Sequence, residues 1–258
     1  MLAEGSLTGR VALVTGGGTG LGRAIAVELA RLGAAVAVCG RRREPLEETV
    51  GHLGERALAV ECDVREPEQV AAAFDAVEES LGGVTTLVNN AAGNFVVQAE
   101  DLSPNGWRAV VGIVLDGTFF CSREFARRAI ARRGRGEIVN MVATYAWTGG
   151  PGTVHSAAAK AGVVNLTRTL AVEWARHGIR VNALAPGPVD TPQAAEKLWP
   201  TEEIRNALLA KIPAGRFGRP KDVTNACAYL VSDYAAYVTG EVLTLDGGSW
   251  LEKGMFGG

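Results

Sequence analysis

The run Thr15-Gly16-Gly17-Gly18-Thr19-Gly20-Leu21-Gly22 stands between a short apolar β-type stretch and a helical pattern. Phosphate oxygens bound at a helix N-terminus must come close to backbone N–H groups, and side chains there would block them. Gly16 then serves the tight turn, Gly20 the close approach and Gly22 the packing of helix on strand, with Gly18, Thr19 and Leu21 completing a cradle for a dinucleotide pyrophosphate. A glycine-rich turn without a ligand is the bland alternative; the strand before and the helix after favour the dinucleotide. A second apolar run, Ala35–Cys39, ends in Gly40-Arg41-Arg42-Arg43. An acid there would accept from the ribose 2′-OH of NAD, whereas Arg41 and Arg42 suit the 2′-phosphate of NADPH. Further along, Ser156 and Lys160 are spaced to share one face of a helix, one turn apart.

These groups need a scaffold, and the pattern of the chain supplies one. Apolar runs at Val11–Thr15, Ala35–Cys39, Ala57–Glu61, Thr86–Asn89, Glu137–Val142, Arg180–Ala185 and Val242–Asp246 read as strands buried on both faces. Helical patterns at Leu21–Leu32, Pro67–Leu81, Pro104–Arg133 and Ser156–His177 alternate with them. Such alternation predicts an α/β fold: one Rossmann-type domain over residues 1–258, with a doubly wound, seven-stranded parallel sheet flanked by helices. The stretch Pro192–Ala214 breaks the rhythm with a polar, helical insert carrying Leu198, Trp199, Leu208 and Leu209, suited to a lid over a substrate cleft.

Composition narrows the class. The chain has 258 residues, 47% hydrophobic and 21% charged, with 26 basic against 28 acidic residues and a net charge of -2. Near-balance argues against nucleic acid or an anionic membrane as the main partner. The opening Met1–Ser6 has neither a basic nor an apolar signal region, and no apolar run approaches the ~20 residues that span a bilayer. Cys39, Cys62, Cys121 and Cys227 form no C-x-x-C pair and read as reduced thiols of a cytoplasmic protein. His52, His155 and His177 lack metal-ligand spacing, so no metal is expected, and His155 reads as a structural residue ahead of its helix. Arg127, Arg128, Arg132, Arg133 and Arg135 cluster at a helix end, where cations offset the dipole. Val110, Val111, Val114, Phe119 and Phe120, with Val163, Val164 and Leu166, are too many apolar residues for one buried stripe and predict a homo-oligomer.

Over essentially its whole length the chain resembles the short-chain dehydrogenase/reductase family. The T-G-x-x-x-G-x-G turn is joined by Cys62-Asp63-Val64, which in that family borders the adenine, and by Asn89-Asn90-Ala91-Ala92-Gly93, similar to its N-N-A-G segment. Pro186-Gly187-Pro188-Val189-Asp190-Thr191 is similar to the segment that holds the nicotinamide amide. The resemblance therefore implies cofactor contacts from Asp63, Val64, Asn90, Ala91, Ala92, Gly93, Lys160, Pro186, Gly187, Val189 and Thr191. It also implies a homotetramer built on the long helices and last strands.

Most members of that family carry Tyr-x-x-x-Lys; here the lysine is Lys160 and the tyrosine position holds Ser156. The family's serine position holds Ala143 and its asparagine position Val114. A branch with this pattern is the 2,4-dienoyl-CoA reductases of fatty-acid β-oxidation, in which the tyrosine lies upstream and a serine stands in the helix. Tyr145 matches that tyrosine, and Asp116 takes the place of an asparagine just before the helical glycine. The resemblance implies Tyr145, Lys160, Asp116 and Ser156 as catalytic residues, with Asn94, Phe95, Tyr145 and Ser156 against an acyl-CoA substrate. Hydride addition to a conjugated C=C pushes charge onto the thioester oxygen, and a phenol, with a usual pKa of about 10, can donate to it. Tyr145 as a half-buried strand-end aromatic and Asp116 as a surface acid remain the plainer alternatives. Reduction of a trans-2-enoyl thioester, ketone or aldehyde, and a non-catalytic NADPH-binding role, remain open beside the dienoyl reading.

Overall fold

The computed structural model describes residues 2–191, 199 and 201–251. Seven strands, β1 (Val11–Thr15), β2 (Ala35–Gly40), β3 (Ala57–Glu61), β4 (Thr86–Asn89), β5 (Gly136–Met141), β6 (Ile179–Pro186) and β7 (Val242–Leu245), form one sheet. Its order is β3-β2-β1-β4-β5-β6-β7, with every pairing parallel. Two wings wind outward from β1 and β4, so the chain reverses direction between those strands, and the carboxyl ends there open a crevice.

Alternate residues of one strand feed opposite cores. Val14, Val36, Val38 and Val88 pack beneath helices α1 (Gly20–Arg31) and the late helix Pro220–Val231. Leu13, Ala37, Leu87 and Ile138 pack on the other side with Phe74 and Phe125. Burial on both faces explains why the central strands read as continuous apolar runs, whereas the expected two-faced burial fails at the edges, where β3 and β7 are only half-buried; each fully buried Leu, Ile or Phe contributes about 1.5–3 kcal/mol.

Helices α2 (Arg43–Val50) and α3 (Pro67–Leu81) follow β2 and β3. Ser103 caps α4 (Pro104–Val111) by accepting from the Gly106 N–H at 3.0 Å. The expected single helix Pro104–Arg133 is interrupted: Gly112–Asp116 forms a π-helical turn before α5 (Gly117–Ala131). Thr118 Oγ1 donates to the Val114 carbonyl at 2.7 Å, a back-bond that occupies a ladder acceptor and favours the wider turn. Hydrophobic periodicity cannot show one inserted residue, which is why the sequence reads through it.

After β5 come α6 (Tyr145–Thr148) and α7 (Val154–Trp174), the latter starting ahead of the expected Ser156 and continuing into a 3₁₀ turn at Ala175–His177. Within the insert, the described part holds α8 (Glu202–Leu209), and Pro220–Val231 is α9. Residues 192–198 and 200 of the expected lid, Leu198 included, lie outside the described residues. Trp199 is buried against Phe217 at 4.9 Å between ring centroids, with Ile212 beside them and Leu208 and Leu209 packed on the cluster.

The apolar residues expected to spill over into an oligomer interface are mostly accommodated within the chain. Val110, Val114, Val163 and Val164 are buried together between α4, the π-turn and α7; Phe119 is 40% exposed. These valines share one core with Ala159, Ala183 and Ala185. The arginine cluster is largely neutralised: Arg128 bridges Glu124, Asp75 and Glu78, and Arg132 reaches Glu78.

Candidate active site

The glycine turn lies at the crevice and is braced from both sides. Gly16 has φ +63°, the left-handed region that favours glycine. At Gly22 a Cβ would lie 2.3 Å from the Gly16 carbonyl oxygen and 2.5 Å from Asn90 Nδ2, so only glycine fits. Asn90 donates to the Thr15 and Gly16 carbonyls at 3.0 and 3.2 Å, while Thr15 Oγ1 accepts from the Asn90 and Ala91 N–H groups. From the other side Arg23 donates to the Gly18 carbonyl, and Thr49 Oγ1 donates to the Gly17 and Gly18 carbonyls. Neither Arg23 nor Thr49 carries a sequence signal for this work; distant segments meet there only in the fold.

A pocket runs from this turn across the ends of β2 and β3. Gly16, Gly18, Thr19, Leu21 and Gly22 form one wall, and Asn90, Ala91 and Ala92 form another. Arg41, Arg42, Asp63 and Val64 line its far end. Sequence reasoning missed Gly40, Pro45, Leu46, Cys62 and Ile113, which also line it. Arg41 and Arg42 are exposed and make no hydrogen bond or ion pair with a described residue, whereas Arg43 pairs with Glu47 at 2.7 Å. Arg65 grips the Asp63 carboxylate through Nε at 2.9 Å and through Nη2, holding that carboxyl below its ordinary range. The glycine cradle at the start of α1 and the pocket beside it fit a dinucleotide.

Beyond the carboxyl ends of β4 and β5 lies the polar group of the predicted chemistry. Tyr145 opens α6 and is half-buried; its Oη is 3.1 Å from Ser156 Oγ, on the first turn of α7. Lys160, one turn further on, is buried and donates through Nζ to the Met141 carbonyl at the end of β5. Burial pushes its ammonium down to about 8. The structure thus brings three of the four expected catalytic side chains onto adjoining segments. Asp116 is exposed at the end of the π-turn, without a hydrogen bond or ion pair to a described residue. Val114, at the family's asparagine position, is buried in the apolar cluster.

Asn94 is exposed and accepts from the Phe95 N–H at 3.0 Å; Phe95 is 44% exposed and packs edge-on to His155. Gly93 is half-buried near Ile113. Pro186 ends β6, and Gly187 abuts Asp246 so closely that a Cβ would lie 2.6 Å from its Cβ. Val189 and Thr191 are buried just beyond. All four cysteines are buried free thiols, no group of metal-ligating residues occurs among the described residues, and no described helix is long and apolar enough to cross a membrane.

The family model described as enoyl-(acyl carrier protein) reductase matches residues 16–249. A Bacillus subtilis (strain 168) protein named a probable 2,4-dienoyl-CoA reductase, (2E)-enoyl-CoA-producing, is 48% identical over 246 residues, covering 94% of this chain and 97% of its own length. A short-chain dehydrogenase from Bacillus anthracis is 43% identical with TM-score 0.88, covering 95% and 98% of the two chains. A dehydrogenase from Agrobacterium tumefaciens, solved with bound NADP, is 38% identical with TM-score 0.88 over 95% and 98%. The doubly wound sheet, the braced glycine turn and these matches along nearly the whole chain make it a member of the short-chain dehydrogenase/reductase family.

Proposed function

We propose that this chain is an NADPH-dependent reductase of unsaturated acyl-CoA thioesters, acting on a 2,4-dienoyl-CoA in fatty-acid β-oxidation. The observation that carries the reading is the Tyr145–Ser156 hydrogen bond beside buried Lys160, in a chain whose usual helical tyrosine is absent. The similarity to a protein named as a 2,4-dienoyl-CoA reductase supports it.

In this reading the turn Gly16–Gly22 holds the pyrophosphate, and Gly20 keeps the helix start open to it. Arg41 and Arg42 meet the 2′-phosphate; Asp63 and Val64 border the adenine. Asn90, Ala91, Ala92 and Gly93 run beneath the dinucleotide, Pro186, Gly187, Val189 and Thr191 hold the nicotinamide side, and Lys160 holds the adjoining ribose. NADPH supplies the hydride when bound.

Tyr145 donates to the thioester oxygen as negative charge gathers there, and Ser156 fixes the phenol's orientation. Lys160, desolvated and fixed on the Met141 carbonyl, keeps the site positive. Asp116 serves as a second polar group at the substrate, and Asn94 and Phe95 flank the acyl chain. The working form is a cytoplasmic homotetramer of one-domain chains with the 192–214 insert as substrate lid; light scattering checks the assembly. Following NADPH oxidation against dienoyl-, enoyl- and 3-oxoacyl-CoAs, with simple carbonyls alongside, tests the function. Turnover greatest with the dienoyl thioester is expected; a preference for 3-oxoacyl or simple carbonyl substrates refutes it.

A further inference from the structure

His155 is the second residue of α7 and the neighbour of Ser156, and it is completely buried. Neither ring nitrogen has a hydrogen-bond partner; among the described side chains it alone leaves two buried polar atoms unpaired. A buried imidazole in that state is costly, and an apolar ring of the same shape would avoid the loss. Helical side chains lean toward the helix N-terminus, so this imidazole stands over the amino end of α7. That end has no side-chain cap from Thr153 and no acidic residue in its own first turn.

An aromatic ring packs on the imidazole. Phe95 meets it edge-on, with centroids 4.5 Å apart and an interplanar angle of 81°. Phe95 is itself 44% exposed, on the irregular segment that leads from the cofactor-lining Asn90–Ala92 toward α4. Its far edge lies against Gly106, where a Cβ would come within 3.1 Å of the ring. Displacing Phe95 would uncover this side of the buried imidazole, one residue along α7 from Ser156.

We propose that His155 is a second hydrogen-bond donor to the acyl thioester: substrate displaces Phe95, and an imidazole N–H donates to the carbonyl oxygen that Tyr145 also meets. This rests on the reading of the chain as a reductase of such thioesters. Two donors aimed at one developing oxyanion form an oxyanion hole, and the partnerless imidazole becomes paired when it is filled. Phe95 is then the gate to that donor as well as a wall of the acyl site.

His155→Phe keeps a ring of similar shape against Phe95 and removes both nitrogens. The expected result is a folded protein with NADPH affinity unchanged and dienoyl-CoA turnover lowered about 100-fold, the scale of one lost oxyanion donor; His155→Asn, which keeps a donor, falls less. A second measurement uses the unaltered protein. Its three histidines allow the ring ¹⁵N signals to be assigned with His52→Gln and His177→Gln. Saturated acyl-CoA added with NADP⁺ is expected to shift the His155 ring nitrogens and leave the other two rings in place. Undiminished turnover by His155→Phe, or a His155 signal unmoved at saturating acyl-CoA, overturns the proposal while the function stands. Unaltered protein that reduces no dienoyl-CoA overturns the functional reading and this proposal together.

Discussion

The Tyr145 phenol oxygen lies 3.1 Å from Ser156 Oγ, so a tyrosine outside the long helix is tied to the helix position that usually carries one. If the phenol is the donor and the serine its support, Tyr145→Phe lowers dienoyl-CoA turnover about 10²–10³-fold with little change in NADPH affinity. Ser156→Ala costs less. Steady-state kinetics with calorimetric NADPH titration checks the ranking; a fully active Tyr145→Phe beside a dead Ser156→Ala reverses the assignment.

Asp116 projects from the π-turn into solvent, without a partner among the described residues. Asp116→Asn keeps its size and a hydrogen-bond donor while removing the acid. If the residue works by donating a hydrogen bond, the variant retains turnover within about tenfold. Near-complete inactivity in steady-state kinetics shows instead that the carboxylate itself is needed.

Arg41 and Arg42 line the pocket without ion-pair partners among the described residues, and Asp63, whose carboxylate acts on Arg41, is already gripped by Arg65. Calorimetry is expected to show NADPH bound at least ~10-fold more tightly than NADH. Replacing both arginines by alanine brings the two affinities together, mainly by weakening NADPH. Equal affinities in the unaltered protein contradict the cofactor assignment.

Lys160 supplies a pH signature. Burial lowers its folded-state pKa to about 8, below its ordinary 10.5. Between those values the unfolded chain holds the proton and the folded chain has released it, so this group's contribution to stability rises with pH across that window. Below about 8 both states are protonated and the burial cost is felt in full. Denaturant melts of the unaltered protein and Lys160→Met, without cofactor, should differ by such a slope; parallel profiles argue against the shift. Where the ammonium is needed for cofactor binding, kcat/KM for NADPH falls as pH rises through about 8.

Much was legible in the sequence because the signals are local. A strand buried on both faces must be continuously apolar, so β1 (Val11–Thr15) and β4 (Thr86–Asn89) stand where the pattern put them; the half-buried edge strand β3 (Ala57–Glu61) keeps its expected bounds as well. The phosphate-type turn is equally local: Gly16 needs a positive φ and Gly22 tolerates no Cβ, requirements carried by residue type at fixed spacing. Ser156 and Lys160 share a helix turn by periodicity alone.

What only the tertiary structure decided depends on contacts between distant segments or on one residue of backbone register. The π-turn at Gly112–Asp116 leaves Val114 buried and Asp116 exposed, and apolar periodicity is blind to a single inserted residue. Val110, Val114, Val163 and Val164 meet in one core only through the packing of α4 and the π-turn on α7. Arg23 and Thr49 brace the glycine turn from segments with no motif of their own. For His155 the residue type does not say whether its nitrogens find partners; its burial against Phe95 is decided only where their segments meet in the fold.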